Sequence, residues 1–180
     1  MKRILIASSV FVLLFSTSFT PPKKEKADGK INWLTFEEAV KKLEDEPRKI
    51  IIDVYTDWCG WCKKMDKTTF QDPLIVDYIN QNYYAVKFNA EQKEDVQFDG
   101  QTFKFVGQGR RGYHELAAAM LQGEMSYPSM VFLDEEANMI QPIPGFQQPQ
   151  QLHPILKFLV EGLKEKQTWE NFMASYKTPY

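Results

Sequence analysis

At 180 residues the chain is long enough for one ordinary domain with a core of its own and too short for a roomy second one. Hydrophobic residues at 43% and charged residues at 26% are near globular averages, which excludes a disordered chain and a multi-span membrane protein. Lys and Arg number 22 against 24 Asp and Glu, a net charge of −2, so no basic excess exists to neutralise phosphates and nucleic acid is not an expected partner.

Lys2 and Arg3 precede the apolar run from Ile4 to Phe15, and Ser16, Thr17 and Ser18 follow as small residues suited to a signal peptidase. The run is interrupted by Ser8 and Ser9 and falls short of the roughly 18 residues of a spanning helix. Residues 1–18 are therefore expected to be a signal peptide, leaving no membrane span in the mature chain. The protein is expected to be exported, and periplasmic if its source is a Gram-negative bacterium. No cysteine lies near the end of the run, so the pattern does not support a bacterial lipoprotein anchor. Residues 19–30 read as a flexible leader, because Pro, Lys, Glu, Asp and Gly dominate 21–30 and bury little surface. The domain is expected over 31–166, with a helical tail over 167–180.

Thr35 and Glu38 have capping-box spacing, and Phe36, Ala39, Val40 and Leu43 recur at helical intervals, which predicts a helix over 36–46 stopped by Pro47. Residues 49–56 form a β-branched run, apolar on both faces as in a central strand covered by helices, with Asp53 as its single acid. A helix is predicted to begin at Cys59. Asp72-Pro73 is an N-cap and first-turn proline for a second amphipathic helix, and 83–88 is the next strand. Asp99-Gly100, flanked by Val96, Phe98, Phe103 and Phe105, signals a hairpin. Gly107, Gly109 and Gly112 then lead into a helix predicted over 113–121, and Arg110 and Arg111 in that glycine-rich turn read as a solvated pair. A second hairpin is predicted from 130–134 and 139–143, then a helix over 150–166 bent near Pro154 and a short helix over 169–175. The order implies an α/β fold, a mixed sheet with helices on both faces.

The chemistry concentrates in Trp58-Cys59-Gly60-Trp61-Cys62. A sulfur at a helix N-terminus meets unpaired backbone N–H groups and the positive end of the helix dipole, which favour thiolate over thiol. Such sites lower a cysteine pKa from about 8.5 into the range of roughly 3.5 to 7.5. Lys63 and Lys64 add positive charge. Cys62, three residues on, returns to the same helix face and can close a disulfide after Cys59 has attacked. Cys59 is thus the expected nucleophile and Cys62 the resolving thiol. A purely structural bond across so short a loop removes little unfolded-state entropy and is a poor staple. His114 and His153 lack zinc-site spacing to the pair, and Lys63 stands where haem attachment needs histidine, so no metal and no cofactor is expected.

The stretch Asp53-Val54-Tyr55-Thr56-Asp57-Trp58-Cys59-Gly60-Trp61-Cys62-Lys63 resembles the active-site stretch of the thioredoxin superfamily, over about 31–165 of the chain. The resemblance implies a thioredoxin-like fold, with an inserted hairpin before the cis-proline strand. It implies that Asp53 is buried beneath the cysteines and moves the proton of the resolving thiol, that Lys87 pairs with it, and that Tyr127-Pro128 is a cis-proline dipeptide facing the sulfurs. Gly145 matches the glycine of the last strand. Trp58, Gly60, Tyr127 and Pro128 are the implied substrate contacts, and the bulky Trp61 beside the sulfurs is expected to be either a further substrate contact or a shield over the disulfide. Two departures are Trp61, where thioredoxin has proline, and the segment over 95–112. The chain is more similar to exported thioredoxin-like proteins related to the C-terminal domain of the DsbD thiol:disulfide interchange protein than to cytosolic thioredoxin. The implied activity is reduction or exchange of disulfides in other exported proteins, with an unidentified thiol as electron donor. One alternative is a client-binding module using the Trp58, Trp61 and Tyr127 surface without redox turnover, and another is a metal-handling protein.

Overall fold

The computed structural model describes residues 29–108 and 111–180. The signal peptide expected over 1–18, nearly all of the leader and Arg110 lie outside the described residues. In chain order the elements are β1 (Trp33–Leu34), α1 (Phe36–Lys42), β2 (Lys49–Tyr55), α2 (Gly60–Lys67), a 3-10 turn (Thr69–Gln71), α3 (Pro73–Asn82) and β3 (Tyr83–Asn89). There follow β4 (Val96–Phe98), β5 (Gln101–Phe103), β6 (Phe105–Gln108), β7 (Arg111–His114), α4 (Glu115–Met120), β8 (Ser129–Leu133), β9 (Met139–Pro144), α5 (Pro149–Lys157) and α6 (Trp169–Ser175). The main sheet has five strands in the order β1-β3-β2-β8-β9, with β2 parallel to β3 and antiparallel to β8. This is the mixed, helix-flanked sheet of a thioredoxin-like fold.

Side-chain alternation along β2 sorts the core into two layers. Ile50, Ile52 and Val54 pack with Phe36 and Ala39 of α1 and with Leu116 and Met120 of α4. Ile51 packs on the other face with Met65 of α2, Ile75 and Ile79 of α3, and Leu152 and Leu156 of α5. The same alternation places Asp53 on the face of Ile51, beneath α2. Lys87 lies opposite Asp53 in the β2–β3 register, two residues from Ala85 of that same layer. The site therefore follows from strand pairing: a carboxylate and an ammonium side by side on a buried face.

Local chemistry sets the element ends. Thr35 caps α1 reciprocally: its hydroxyl accepts the Glu38 N–H at 3.2 Å, and the Glu38 carboxylate accepts the Thr35 N–H at 2.9 Å. Thr35→Ala is expected to cost about 1 kcal/mol of stability, read from urea unfolding midpoints at unchanged slope. The helix is shorter than the sequence pattern predicts. After Lys42 the Glu44 and Asp45 N–H groups bond three residues back, so the chain tightens out of the α-helix before Pro47.

The largest correction concerns the insertion. The expected hairpin forms at Asp99-Gly100, both at positive φ (48° and 71°). A second hairpin follows, pairing β6 with β7 through Val106 opposite Tyr113 and Gly107 opposite Gly112. Residues 113 and 114 are thus strand, and α4 starts only at Glu115. Close packing explains the glycine: a Cβ on Gly112 would collide with the Phe105 ring and the Val106 carbonyl. His114 is the N-cap of α4 rather than a residue inside it. Its buried Nδ1 accepts the Leu116 N–H at 3.2 Å, which leaves Nε2 to donate to the Glu94 carbonyl at 3.1 Å and pin the insertion's base. Its backbone N–H reaches the Ala90 carbonyl, and the Ala90 N–H reaches that of Tyr55, tying the insertion to the end of β2.

Toward the C-terminus, α5 ends at Lys157 and continues as a π-helical turn over Phe158–Gly162, while α6 occupies the predicted residues. His153 on α5 meets the Tyr176 hydroxyl at 2.7 Å and fastens the tail. Among the described residues no helix is long and apolar enough to cross a membrane.

Candidate active site

β2 ends at Tyr55, and four residues on Cys59 takes extended dihedrals (φ −70°, ψ 105°) as the N-cap of α2. The helix therefore starts at Gly60, one residue later than the sequence pattern predicts, and Cys59 sits where a capping side chain belongs. Its Sγ accepts the Cys62 N–H at 3.0 Å, one of the N–H groups that the first turn leaves without a helical partner. Cys59 and Cys62 form a disulfide with a Cα–Cα distance of 5.3 Å. Cys59 is 5% exposed and Cys62 1%, so the capping cysteine is the more accessible residue of the pair. Gly60 is exposed, and a Cβ there would meet nothing within 4 Å. Packing therefore does not require the glycine.

Between β2, β3 and α2 lies a charged cluster. Lys87 Nζ donates to Asp53 Oδ2 at 2.5 Å and also to Asp66 Oδ1. Asp53 is 1% exposed, and its Oδ1 has no hydrogen-bond partner among the described residues. Burial pushes the Asp53 carboxyl up to about 6, opposed by Lys87 and reinforced by the charge of Asp66. Burial pulls the Lys87 ammonium down, but its two carboxylates outweigh this and hold it above its ordinary value, charged at neutral pH. Rings of Tyr55, Trp33 and Phe70 lie 5.0, 5.2 and 5.3 Å from Nζ and leave it little else to turn toward.

The rim carries aromatic groups. Trp58, 66% exposed, donates its indole N–H to Glu91 Oε1 at 3.0 Å and meets Tyr127 edge-on, with ring centroids 5.9 Å apart. Burial and Glu91 push the Tyr127 phenol up to about 12, so it stays neutral. Trp61 does not join this group; it lies against Phe146, 5.4 Å between centroids, with Lys64 Nζ 4.7 Å from its ring. The Tyr127–Pro128 peptide is cis. The Pro128 carbonyl accepts the N–H of Gly145, which has φ +90° just beyond β9, so this glycine anchors the proline loop. The Tyr127 main chain makes no hydrogen bond among the described residues.

Asp66, Glu91, Phe146 and the rings around Lys87 are the members that sequence reasoning missed. Asp66 was the accessible one, since it follows Cys62 by four residues and shares its helix face.

A family model described as a thioredoxin-like domain matches residues 36–159, from α1 through α5. The chain belongs to this family. Among solved structures it is similar to a putative disulphide-isomerase from Bacteroides thetaiotaomicron, at 27% identity and a TM-score of 0.51, covering 76% of this chain and 97% of that one. A thioredoxin-fold protein from Helicobacter pylori has 18% identity and a TM-score of 0.53 over 77% of this chain and 91% of that one, a likeness of fold. Among curated proteins, the thiol:disulfide interchange protein DsbD of Pectobacterium atrosepticum is 37% identical over 38 residues, 21% of this chain and 7% of that protein. An uncharacterized Caenorhabditis elegans protein is 27% identical over 95 residues, 52% of this chain and 13% of that protein. The matched segments are thus small parts of these longer curated relatives. The bonded Cys59–Cys62 pair at a helix start fits the thiol–disulfide redox chemistry of thioredoxin-like relatives.

Proposed function

We propose that the protein is an exported thiol–disulfide oxidoreductase that reduces or exchanges disulfides in other exported proteins. The observation that carries this reading is the position of Cys59: at the cap of α2, its sulfur facing the Cys62 N–H, and bonded to Cys62. In the reduced protein the Cys59 thiolate attacks a client disulfide. A Cys59–client disulfide forms, and the client's other sulfur leaves as thiolate and takes a proton. Cys62 then loses its proton to the Asp53 carboxylate and attacks the Cys59 sulfur, re-forming the Cys59–Cys62 bond and releasing the second client thiol. Two electrons pass to the client, and a thiol donor restores the dithiol. Lys87 keeps a positive charge beside Asp53 throughout, steadying its ionised form.

The unpaired Tyr127 main chain supports docking of an extended client segment beside the cis-proline. Exported clients follow from the Lys2–Ser18 pattern, and a periplasmic site follows if the source is Gram-negative. In the reduced protein Cys59 is expected to carry the lower pKa. Iodoacetamide alkylation followed by peptide mapping across pH 5–9 checks this, with Cys59 modified first. Faster labelling of Cys62 across that range would reverse the two roles.

A further inference from the structure

Trp58 and Trp61 are the most exposed large apolar side chains described, at 66% and 55%, and each immediately precedes one cysteine of the disulfide in sequence. Neither is a free rotor. Trp58 is tied to Glu91 and packed on Tyr127; Trp61 is packed on Phe146, with the Lys64 ammonium 4.7 Å from its ring and 5.2 Å from that of Phe146. Exposed aromatic surface held in place beside a reactive bond is surface kept for a partner. The two stations differ in charge. The Trp58–Tyr127 station carries Glu91, with Asp57 next in sequence, and the Trp61–Phe146 station carries Lys64, with Lys63 next in sequence. Among the described residues neither Glu91 nor Lys64 has an ion-pair partner. The ammonium of Lys64 lies over two rings, which cover part of its hydration shell, so a carboxylate meeting it gains more than at a fully hydrated lysine.

Resting on the redox reading above, we propose that this rim selects client segments of dipolar sequence. An acidic residue on one side of the client's half-cystine meets Lys64 over Trp61 and Phe146, and a basic residue on the other side meets Glu91 beside Trp58 and Tyr127. The aromatic stations supply contact area that any extended segment can use. The charges fix which way the segment runs and which segments are taken first.

The test uses the reduced protein and five synthetic peptides, each joined through one cysteine to the same neutral thiol. Their flanking pairs are Ala/Ala, Glu/Lys, Lys/Glu, Glu/Glu and Lys/Lys, and single-turnover reduction is followed at low and at 0.5 M salt. One dipolar order is expected to react about three- to tenfold faster than its reverse, with the gap closing at high salt. In Lys64→Glu the rim becomes acidic at both stations, and the Lys/Lys peptide is expected to become the fastest substrate. Equal rates for the two dipolar orders in the unaltered protein would overturn the inference while leaving the redox reading intact. So would a ranking of peptides that Lys64→Glu does not change. Failure to reduce even the Ala/Ala peptide would overturn both.

Discussion

Cys62→Ser is expected to accumulate covalent adducts with oxidised clients, while Cys59→Ser accumulates none, and each substitution is expected to lower disulfide turnover by about a thousandfold or more. The argument starts from position. Cys59 caps α2 and is the more exposed residue of the pair, so it meets the client first. With Cys62→Ser, attack by Cys59 still proceeds, but the serine hydroxyl cannot displace the client from the Cys59 sulfur. The mixed disulfide then persists until an external thiol cleaves it. With Cys59→Ser the remaining thiol is that of Cys62, 1% exposed and on the inner side of the pair. Non-reducing gels of exported proteins mixed with each variant, repeated after dithiothreitol, read the outcome directly. Equal recovery of clients by both variants would mean that the aromatic rim captures them without sulfur chemistry, which is the binding-module alternative. Supplying oxidised and reduced clients separately also reports direction, because a free Cys59 thiolate captures only a disulfide.

The strand carrying Asp53 is legible in the sequence because Ile50, Ile51, Ile52 and Val54 are buried on two faces, and no amphipathic helix offers that pattern. The helix starts at Thr35 and Asp72-Pro73 are equally legible, since capping is a local interaction between residues two or three apart. The β6–β7 hairpin is not. Its glycines at 107 and 112 face each other across the ladder, and their missing side chains erase the alternation that marks a strand. The pairing of Asp53 with Lys87 came from the family resemblance, while the cage around Lys87 was out of reach. Trp33 and Phe70 arrive there from β1 and the 3-10 turn, and only the tertiary fold brings them to the ammonium.

Asp53→Asn is expected to slow release of the mixed disulfide about a hundredfold near pH 7, with the fold intact. An amide cannot take the Cys62 proton, so the resolving thiol must ionise unaided. The defect should shrink as the pH rises through the ordinary thiol range near 8.5, where hydroxide and solvent do the same work. The stability consequence has a definite sign. The folded carboxyl titrates at about 6, against about 3.9 in an unfolded chain, so the native state binds this proton more tightly. Its contribution favours folding below about pH 4, declines as the pH rises from about 4 to about 6, and is fully lost above that, a difference of about 3 kcal/mol. Asn carries no such titration and its carbonyl still accepts from Lys87, whose ammonium also keeps Asp66. The variant should therefore lack the loss of stability that this group imposes on the unaltered protein between pH 4 and 6. At pH 7 it should be the more stable of the two, because burial disfavours the ionised Asp53 carboxyl by more than Lys87 favours it, and Asn avoids that cost. Urea unfolding at half-unit pH steps, paired with stopped-flow decay of a Cys59–peptide disulfide, measures both effects. Parallel stability curves together with unchanged decay would show that Asp53 neither titrates in this range nor accepts the proton.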